Sequence, residues 1–565
     1  MQTVTDMLAA AMRHHHAGEA AEAERLYRFV LAQEPDQPQA LHLCGMLMLK
    51  QGDAEGAATL LARAAEVRPG DPAPLVALGS ALMTLGRNPA ATRAFRAVLV
   101  FAPGHAVARV GLAASLLSDG QPAAALAEAD AVHGHAPGSG LAEAQFIRGT
   151  ALAQLGRASE AEAALRAAIA ADPTHAKAHL NLGNVLVDLD RPAAAERLYR
   201  AAIRLDPALA EAHASLGHVL SGLDRTEEAV SACAEAIRLR PDFAQAHWNQ
   251  GIALLRAGDF TRGFEKYEWR KRHAKFAAAF ADPPGPAWEG QPLAGRTLLV
   301  LAEQGLGDTI QFARYIPALA AHGARVVLAC ARPLLRLLRT LPGIAEVVEH
   351  GERLPPYDFR VDQMSLPRLF ATQPTDIPLP GGYLVPDPAL AAAWQAAMPA
   401  AGAARRVGLV WAGNPLHSND ARRSIPLGLL APVLATPGVR FVGLQAGPRA
   451  AEAAGHPALL DLSGRLMDFA DTAAAIAALD LVITVDTSVA HLAGALGAPV
   501  WVLLPAAADW RWMTRREDSP WYASMRLFRQ QRAGDWGETV GRVAEALAEN
   551  EPMNGPRTAE LQMIS

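Results

Sequence analysis

Lysine is scarce in this sequence: the only lysines among its 565 residues are Lys50, Lys177, Lys266, Lys271 and Lys275. Beyond Lys275 every permanent positive charge is an arginine, so any phosphate handled by the second half must be held by arginine. Cysteine is scarcer still. Cys44, Cys233 and Cys330 lie far apart in apolar patterns without metal-ligand spacing, which excludes a disulfide framework and reads as buried free thiols in a reducing compartment. No uninterrupted apolar run reaches the roughly 18 to 20 residues of a membrane span, and the N-terminal MQTVTDMLAAAMRHHH lacks the ordering of a signal peptide. A basic excess is also missing. With a net charge of -5 and 19% charged residues, nucleic acid is not expected as the main partner. These absences predict a soluble, cytoplasmic chain, and its length calls for roughly two to four domains.

What is present begins with a period. Pro35, Pro69, Pro103, Pro137, Pro173, Pro207 and Pro241 recur every 34 residues, with one spacing of 36. A unit of that length is a helix pair repeated along the chain. Gly45, Gly79, Gly149, Gly183, Gly217 and Gly251 recur in phase in the first helix, and Ala57, Ala91, Ala125, Ala161, Ala195 and Ala229 in the second. Small residues at these points mark where helices touch. Tyr27, Leu61, Phe95, Leu165 and Tyr199 supply the bulk beside them, and Gly52, Gly86, Gly120 and Gly156 mark the turns within pairs. The pattern resembles the tetratricopeptide repeat family, in about seven units from Val4 to Asp242 and a last one running to Lys275. The fourth unit departs from it, with Ala113 in place of glycine and two extra residues in HGHAPGSGLAE.

A stacked solenoid presents a concave face suited to an extended peptide. Asn181 and Asn249 share one repeat phase and Asn184 lies one turn beyond Asn181, so these amides are candidates to line an acceptor groove, against the plainer reading of solvated helix residues. His14 to His16 read as solvent-facing. Periodicity stops in the proline- and glycine-rich text of residues 276–295, which predicts a linker. The expected organisation is an all-α repeat array over 1–275, that linker, two α/β lobes over 296–400 and 401–550, and a tail over 551–565. A fragment starting near Asp282 is expected to fold alone, provided the last helices do not cap the first lobe.

The second half alternates strands and helices, as a parallel sheet with crossover helices requires. TLLVLA from Thr297 is a buried strand, EQGLGD a tight loop bringing Asp308 to a helix start, and ARVVLAC and AEVVEHG further strands. The glycine pair Gly305 and Gly307 is neither a dinucleotide fingerprint nor a Walker A loop. A second unit opens with RRVGLVWAG, followed by the polar loop NPLHSNDARRS and the strand VRFVGLQAG. Then comes LVITVDTSVAHLAGALGAP, Leu481 to Pro499: a buried strand, a polar turn with Thr487 as expected N-cap, and a small-residue helix carrying His491. The amides after Thr487 are candidates for holding an anion. VWVLLPA adds a strand beyond it. Two such lobes place a cleft between the carboxyl ends of two sheets.

Gly305, Gly307 and Asp308, then Arg423-Ser424-Ile425-Pro426, then Asp486-Thr487-Ser488 with His491, resemble the motifs of heptosyltransferase-type glycosyltransferases of family 9. The resemblance covers about Trp288 to Arg542 and implies the two-lobed GT-B fold. It implies a sugar nucleotide as co-substrate, no bound cofactor and no essential metal, with hexosyl or heptosyl transfer to an acceptor recruited by the repeats. By it, Asp308 is the catalytic base, and Asp486, Thr487, Ser488 and His491 hold the donor's diphosphate together with Arg422 and Arg423. Gly305, Gly307, His417, Asn419 and Gln445 are further possible donor or sugar contacts. Arg423 stands where the family typically has lysine, and Ser488 where glycine is often found.

From the residues alone, Asp308 is equally a helix cap, and the arginines equally surface charges. The aromatic stretches Asp509 to Trp512 and Pro520 to Tyr522 either stack on a sugar or base or pack against the first lobe. The donor base and sugar depend on loops near Gln445 and Met467 to Phe469. Two alternatives stay open: a repeat-based binding protein whose GT-B half is not catalytic, and a transferase acting on a saccharide or lipid-linked acceptor.

Overall fold

The computed structural model describes residues 3–132, 139–273, 283–398, 402, 404–417 and 419–549. The first part of the expected linker and the 551–565 tail lie outside these residues. The described chain divides into two compact units between Val219 and Leu220.

In the first unit the helices come in pairs: Val4–His16 with Ala20–Gln33, Pro38–Gln51 with Ala54–Val67, and Pro72–Thr84 with Asn88–Phe101. Ala106–Ser118 with Pro122–Asp130, Ser139–Gln154 with Ala158–Ala171, and Ala176–Asp188 with Pro192–Leu205 continue the series. The in-phase glycines lie where the helices meet. A Cβ on Gly45 would lie 2.8 Å from Leu61, on Gly79 2.5 Å from Phe95, on Gly149 2.6 Å from Leu165 and on Gly183 2.5 Å from Tyr199. In the fourth unit, where glycine gives way to Ala113, the second helix Pro122–Asp130 has 9 residues rather than the usual 14. A Cβ on Gly111, two residues before Ala113, would lie 2.5 Å from the ring of Phe95 in the preceding unit. The turn within each pair needs a left-handed residue. Gly52, Gly86, Gly120 and Gly156 supply it, and Asp190 and Asp224, at φ of 58° and 57°, fill the same phase in later repeats.

The second unit holds the last repeat helices and both α/β lobes. In the first lobe β1 (Thr297–Leu301), β2 (Arg325–Cys330), β3 (Ile344–Glu349) and β4 (Phe359–Asp362) form a parallel sheet in the order β3-β2-β1-β4. In the second lobe β5 (Arg405–Val410), β6 (Val439–Gly443), β7 (Leu459–Asp461), β8 (Leu481–Val485), β9 (Val500–Leu504) and β10 (Met525–Arg529) are also all parallel, ordered β10-β9-β8-β5-β6-β7. β8 and β9 are buried along their whole length, as their apolar text, broken only by Thr484, requires. The chain leaves in opposite directions from the centre of each sheet, between β1 and β4 and between β5 and β8. Ligands of doubly wound folds bind at such switch points. The fold is thus a helical repeat solenoid followed by two Rossmann-like lobes in the GT-B arrangement.

The division of the chain does not fall at the proline-rich stretch, and the reason is aromatic packing. Phe260, Phe264 and Tyr267 of the last repeat helix, Phe260–Tyr267, share one core with the first lobe and with Trp510 and Trp521. Phe260 stacks on Trp521 with centroids 5.5 Å apart, and Phe264 meets Trp510 edge-on at 5.6 Å. The condition for a fragment from Asp282 to fold alone is therefore not met: its first lobe would expose this core. The same packing decides between the two readings of the aromatic stretches, because Trp510, Trp512, Trp521 and Tyr522 are all at most 1% exposed. Phe264→Ala is expected to cost about 3 to 5 kcal/mol. Urea unfolding followed by near-ultraviolet circular dichroism, which reports the buried tryptophans, checks this. A loss below about 1 kcal/mol would mean that the last repeat is not part of the α/β core.

Candidate functional site

Two helix starts meet at the carboxyl ends of the two sheets. The glycine loop after β1 leads into the helix Leu306–Phe312, and the turn after β8 into the helix Ser488–Ala495; the two helices pack directly on each other. Gly307 makes this possible. A Cβ there would lie 2.7 Å from His491 Cδ2 and 3.4 Å from Ser488 Cα, so any larger residue would push the lobes apart.

Asp308 sits at the third position of its helix, where its Oδ2 accepts the Gly305 N–H at 2.8 Å. Its other oxygen forms an ion pair with Arg511 Nη2, and the carboxylate keeps 21% of its surface exposed. Burial pushes the Asp308 carboxyl above its usual range, while Arg511 opposes this and Asp509 adds to it. Both the capping role and a carboxylate still partly open to solvent are therefore present in one residue.

Arg511 is the site residue that the sequence did not disclose. It is fully engaged: Nε donates to Gln311 Oε1 at 2.8 Å, Nη1 pairs with Asp509 at 2.7 Å, Nη2 pairs with Asp308, and the guanidinium lies 4.4 Å over the Trp510 ring. The signal was there, in the stretch Asp509 to Trp512, but its tryptophans drew the reading toward stacking and away from the arginine between them.

His491 is 4% exposed. Its ring stacks on Trp512 at 5.2 Å, and its Nδ1 shares a hydrogen bond of 3.1 Å with the Tyr522 hydroxyl. In this structure the imidazole is spent on the contact between lobes. Thr487 holds the N-cap position but makes no side-chain cap, contrary to expectation; its hydroxyl instead lies 3.2 Å from that of Thr484. Asp486 and Ser488 are half-buried on the same turn. Burial raises the Asp486 carboxyl, Asp509 raises it further, and Arg423 pulls it back.

Arg423 ends the short helix Asp420–Arg423, with its guanidinium beside Gly413, where the chain leaves β5. A Cβ on Gly413 would come within 2.8 Å of its Nη2, and its Nε is 3.5 Å from Asp420. Arg422 and His417 are exposed on the same loop and Asn419 is half-buried, its N–H donating to His417 Nδ1 at 3.1 Å. His417 lies close enough to Asp308 to favour its ionised form.

Four expected residues, Gln445, Asn249, Asn181 and Asn184, are engaged with the protein's own groups. Gln445 is 3% exposed, its Oε1 accepting the N–H of Trp411 and Ala412 and its Nε2 donating to Ala412 and Ala446 carbonyls. It bridges the ends of β5 and β6 and offers a sugar nothing. Asn249 is 3% exposed and accepts from Gln245 Nε2 at 2.8 Å, so it does not line a groove. The reason is the chain after the last helix, which returns over this face: Trp269 stacks on His247 at 3.8 Å and His273 reaches Gln245 at 2.5 Å. In the first unit, Asn181 Nδ2 donates to Thr150 Oγ1 at 2.9 Å, and Asn184, still exposed, accepts from the Tyr199 hydroxyl at 2.9 Å. The Asn181 amide thus ties its repeat to the preceding one, and Asn184 ties the two helices of its own repeat.

Burial pulls the His491 imidazole down to about 3, while in the unfolded chain it titrates near about 6.5. Between those values only the unfolded state binds the proton, so this contribution to stability is complete above pH 6.5 or so and is lost as pH falls. His491→Gln should therefore lose less stability than the parent between about pH 7 and pH 5. Urea titrations at both pH values check this; equal losses would show that His491 is not held neutral.

Tetratricopeptide repeat models match residues 14–82, 76–139, 148–210 and 214–268, and the glycosyltransferase family 9 (heptosyltransferase) model matches 441–526. The latter match takes in Asp486 to Ser488, His491 and Arg511, and leaves out Asp308 and Arg423. The chain is similar to Protein FlbA of Caulobacter vibrioides, at 37% identity over 329 residues, which are 53% of this chain and 54% of that protein. It thus spans about half the length of the curated relative it matches. Among solved structures it is similar to a tetratricopeptide repeat protein from Parabacteroides merdae (14% identity, 45% of this chain, 100% of that one, TM-score 0.39). MamA from residue 41 onward of Desulfovibrio magneticus is similar at 28% identity, over 31% of this chain and 97% of that one, with a TM-score of 0.28. The chain therefore carries tetratricopeptide repeats between residues 14 and 268, followed by α/β lobes whose second contains a glycosyltransferase family 9 segment.

Proposed function

We propose that this chain is a cytoplasmic GT-B glycosyltransferase that moves a hexosyl or heptosyl group from a sugar nucleotide to an acceptor, a protein or peptide, recruited by its repeats. The observation that supports this most is the meeting of Asp308 with the Asp486-Thr487-Ser488 turn at the switch points of the two sheets, beside two arginines. The reaction is inverting and independent of metal. Asp308 takes the proton of the acceptor hydroxyl as its oxygen attacks the anomeric carbon. The bond from that carbon to the diphosphate breaks, and the diphosphate leaves with the electron pair. Arg423, Arg422 and the free amides at the start of Ser488–Ala495 take up its charge. Asn181 and Asn184 contribute to the acceptor groove.

A second reading is favoured by the Asp308 to Arg511 pair. A carboxylate held by both a cap and an ion pair suits a GT-B half that only binds, with the repeats as the working module. Asp308→Asn separates the two. It should leave donor affinity intact and cut transfer by about 10²-fold or more; transfer at the parent rate would make Asp308 a cap only. Arg511→Gln removes the charge that lowers the Asp308 carboxyl. The acid limb of the pH–rate profile should therefore move to higher pH, since the base must be ionised to act. An unmoved limb would remove Asp308 from the role of base.

Arg423→Ala should weaken binding of a nucleoside diphosphate about tenfold or more, the worth of a hydrogen bond to a charged group. Isothermal titration calorimetry measures this. An unchanged affinity would exclude Arg423 from the diphosphate site.

A further inference from the structure

The switch point of the first lobe is occupied by the chain itself. The short turn Glu268–Arg272, which follows the last repeat helix, sends two cations to the carboxyl ends of β1 and β4. Arg270 is 0% exposed and pairs through Nη2 and Nε with Glu303, at 2.7 and 3.2 Å, two residues past β1. Its Nη1 reaches Glu268 at 2.7 Å, and its Nη2 also donates to Ser365 Oγ at 2.9 Å. Lys271 Nζ lies 2.6 Å from Asp362, the last residue of β4, and 3.0 Å from Glu268. The preceding residue, Tyr267, shares a hydrogen bond of 3.3 Å with Gln304.

Three carboxylates thus face two cations in the crevice where a doubly wound sheet ordinarily receives its ligand. Take the cations away and Glu303 and Asp362 repel each other across a buried gap. The Glu303 side chain is 2% exposed, and burial already pushes its carboxyl up to about 7, with Arg270 drawing it down and Asp362 raising it. Buried ion pairs of this kind stabilise little compared with apolar packing of the same shape, and what they supply is a defined geometry. Here the geometry belongs to a short stretch with one function: Glu303 is followed by Gln304, Gly305 and, at the helix start, Asp308. The Met364 N–H donates to Glu303 Oε1 at 3.3 Å, and Gln363 Nε2 donates to the Thr309 carbonyl at 3.0 Å, so the loop after β4 is held in the same register.

We propose that the turn Glu268–Arg272 is an integral strap of the first lobe, and that Arg270 is a positioning residue that fixes the glycine loop and thereby presents Asp308. This rests on the transferase reading for its chemical consequence but not for its structural one. The end of the repeat array is then part of the catalytic unit. Arg270 touches neither substrate nor reacting atoms and acts through Glu303.

The test uses the full chain with Arg270→Met, Arg270→Lys, and Arg270→Met combined with Glu303→Met, the last replacing the pair by apolar side chains so that no unpaired charge is left buried. Circular dichroism and thermal unfolding establish which variants fold. Hydrogen exchange is then read on peptides spanning Glu303 to Ile310 and, as a control, β8 to β10. Exchange in the glycine-loop peptide should quicken about tenfold or more in the double variant with the control unchanged, and less in Arg270→Lys. Transfer should show kcat lowered by a similar factor, about tenfold, with nucleoside-diphosphate affinity unchanged. Unaltered exchange in the loop of a folded double variant would overturn the proposal whatever the activity. Quickened exchange in the double variant, with a parent chain that neither binds nucleoside diphosphate nor transfers sugar, would uphold the strap and overturn the transferase reading. Quickened exchange with normal kcat would overturn the positioning role.

Discussion

The approach of Gly307 to His491 governs the arrangement of the second unit. Two helices that begin at the carboxyl ends of different sheets can touch only if both are built from small residues at the contact, and the chain provides Gly307 on one side and Ser488 on the other. That contact sets where Asp308 stands relative to the turn after β8. It also buries the imidazole and brings Trp512 and Tyr522 over it. A hydrophobic seam of this density resists continuous deformation, so the spacing of the charged groups around it is fixed by packing and not by their mutual attraction.

The charges around the seam follow from the scarcity of lysine. Arg270, Arg314 and Arg511 are each buried, and each satisfies several partners at once in the plane of its guanidinium. Arg314 donates to the carbonyls of Gln311 and Trp521 and lies between Tyr383 and Tyr522. An ammonium group has neither the planar fork nor the weak hydration that such sites require. Lys271, at the switch point, keeps 35% of its side chain exposed, where water can complete its shell.

The sequence made some of this legible and hid the rest for physical reasons. The repeat period and its helix pairs were readable because each in-phase glycine answers to one large neighbour, such as Gly79 to Phe95. β8 and the turn after it were readable because a strand buried on both faces is almost wholly apolar, here broken only by Thr484, until it ends at Asp486. β4, β7 and β10 are edge strands, and their text shows neither the unbroken apolar run of a central strand nor a clear alternation. Thr487 fits the statistics of a cap, yet the nearby hydroxyl of Thr484 competes for it. Gln445 and Asn249 were misplaced because polarity in a loop or on a helix face suggests a ligand, whereas burial turned both side chains onto the protein's own polar groups. Arg511 and Arg270 were invisible because their partners, Asp308 and Glu303, lie far away along the chain.

The last of these gaps bears on how the two parts of such a protein are related. A proline-rich break in periodicity marks where repeats stop repeating, but a domain ends where its core closes, and the two need not coincide. Here the core of the first lobe closes over Phe260, Phe264 and Tyr267, and its switch point over Arg270 and Lys271, all of them before the break. A solenoid needs a terminal unit that differs from the rest, because its last face has no following repeat to cover it. In this chain the α/β lobe covers that face, and in return the last helix and turn complete the lobe. The last repeat therefore has to satisfy two neighbours of different architecture.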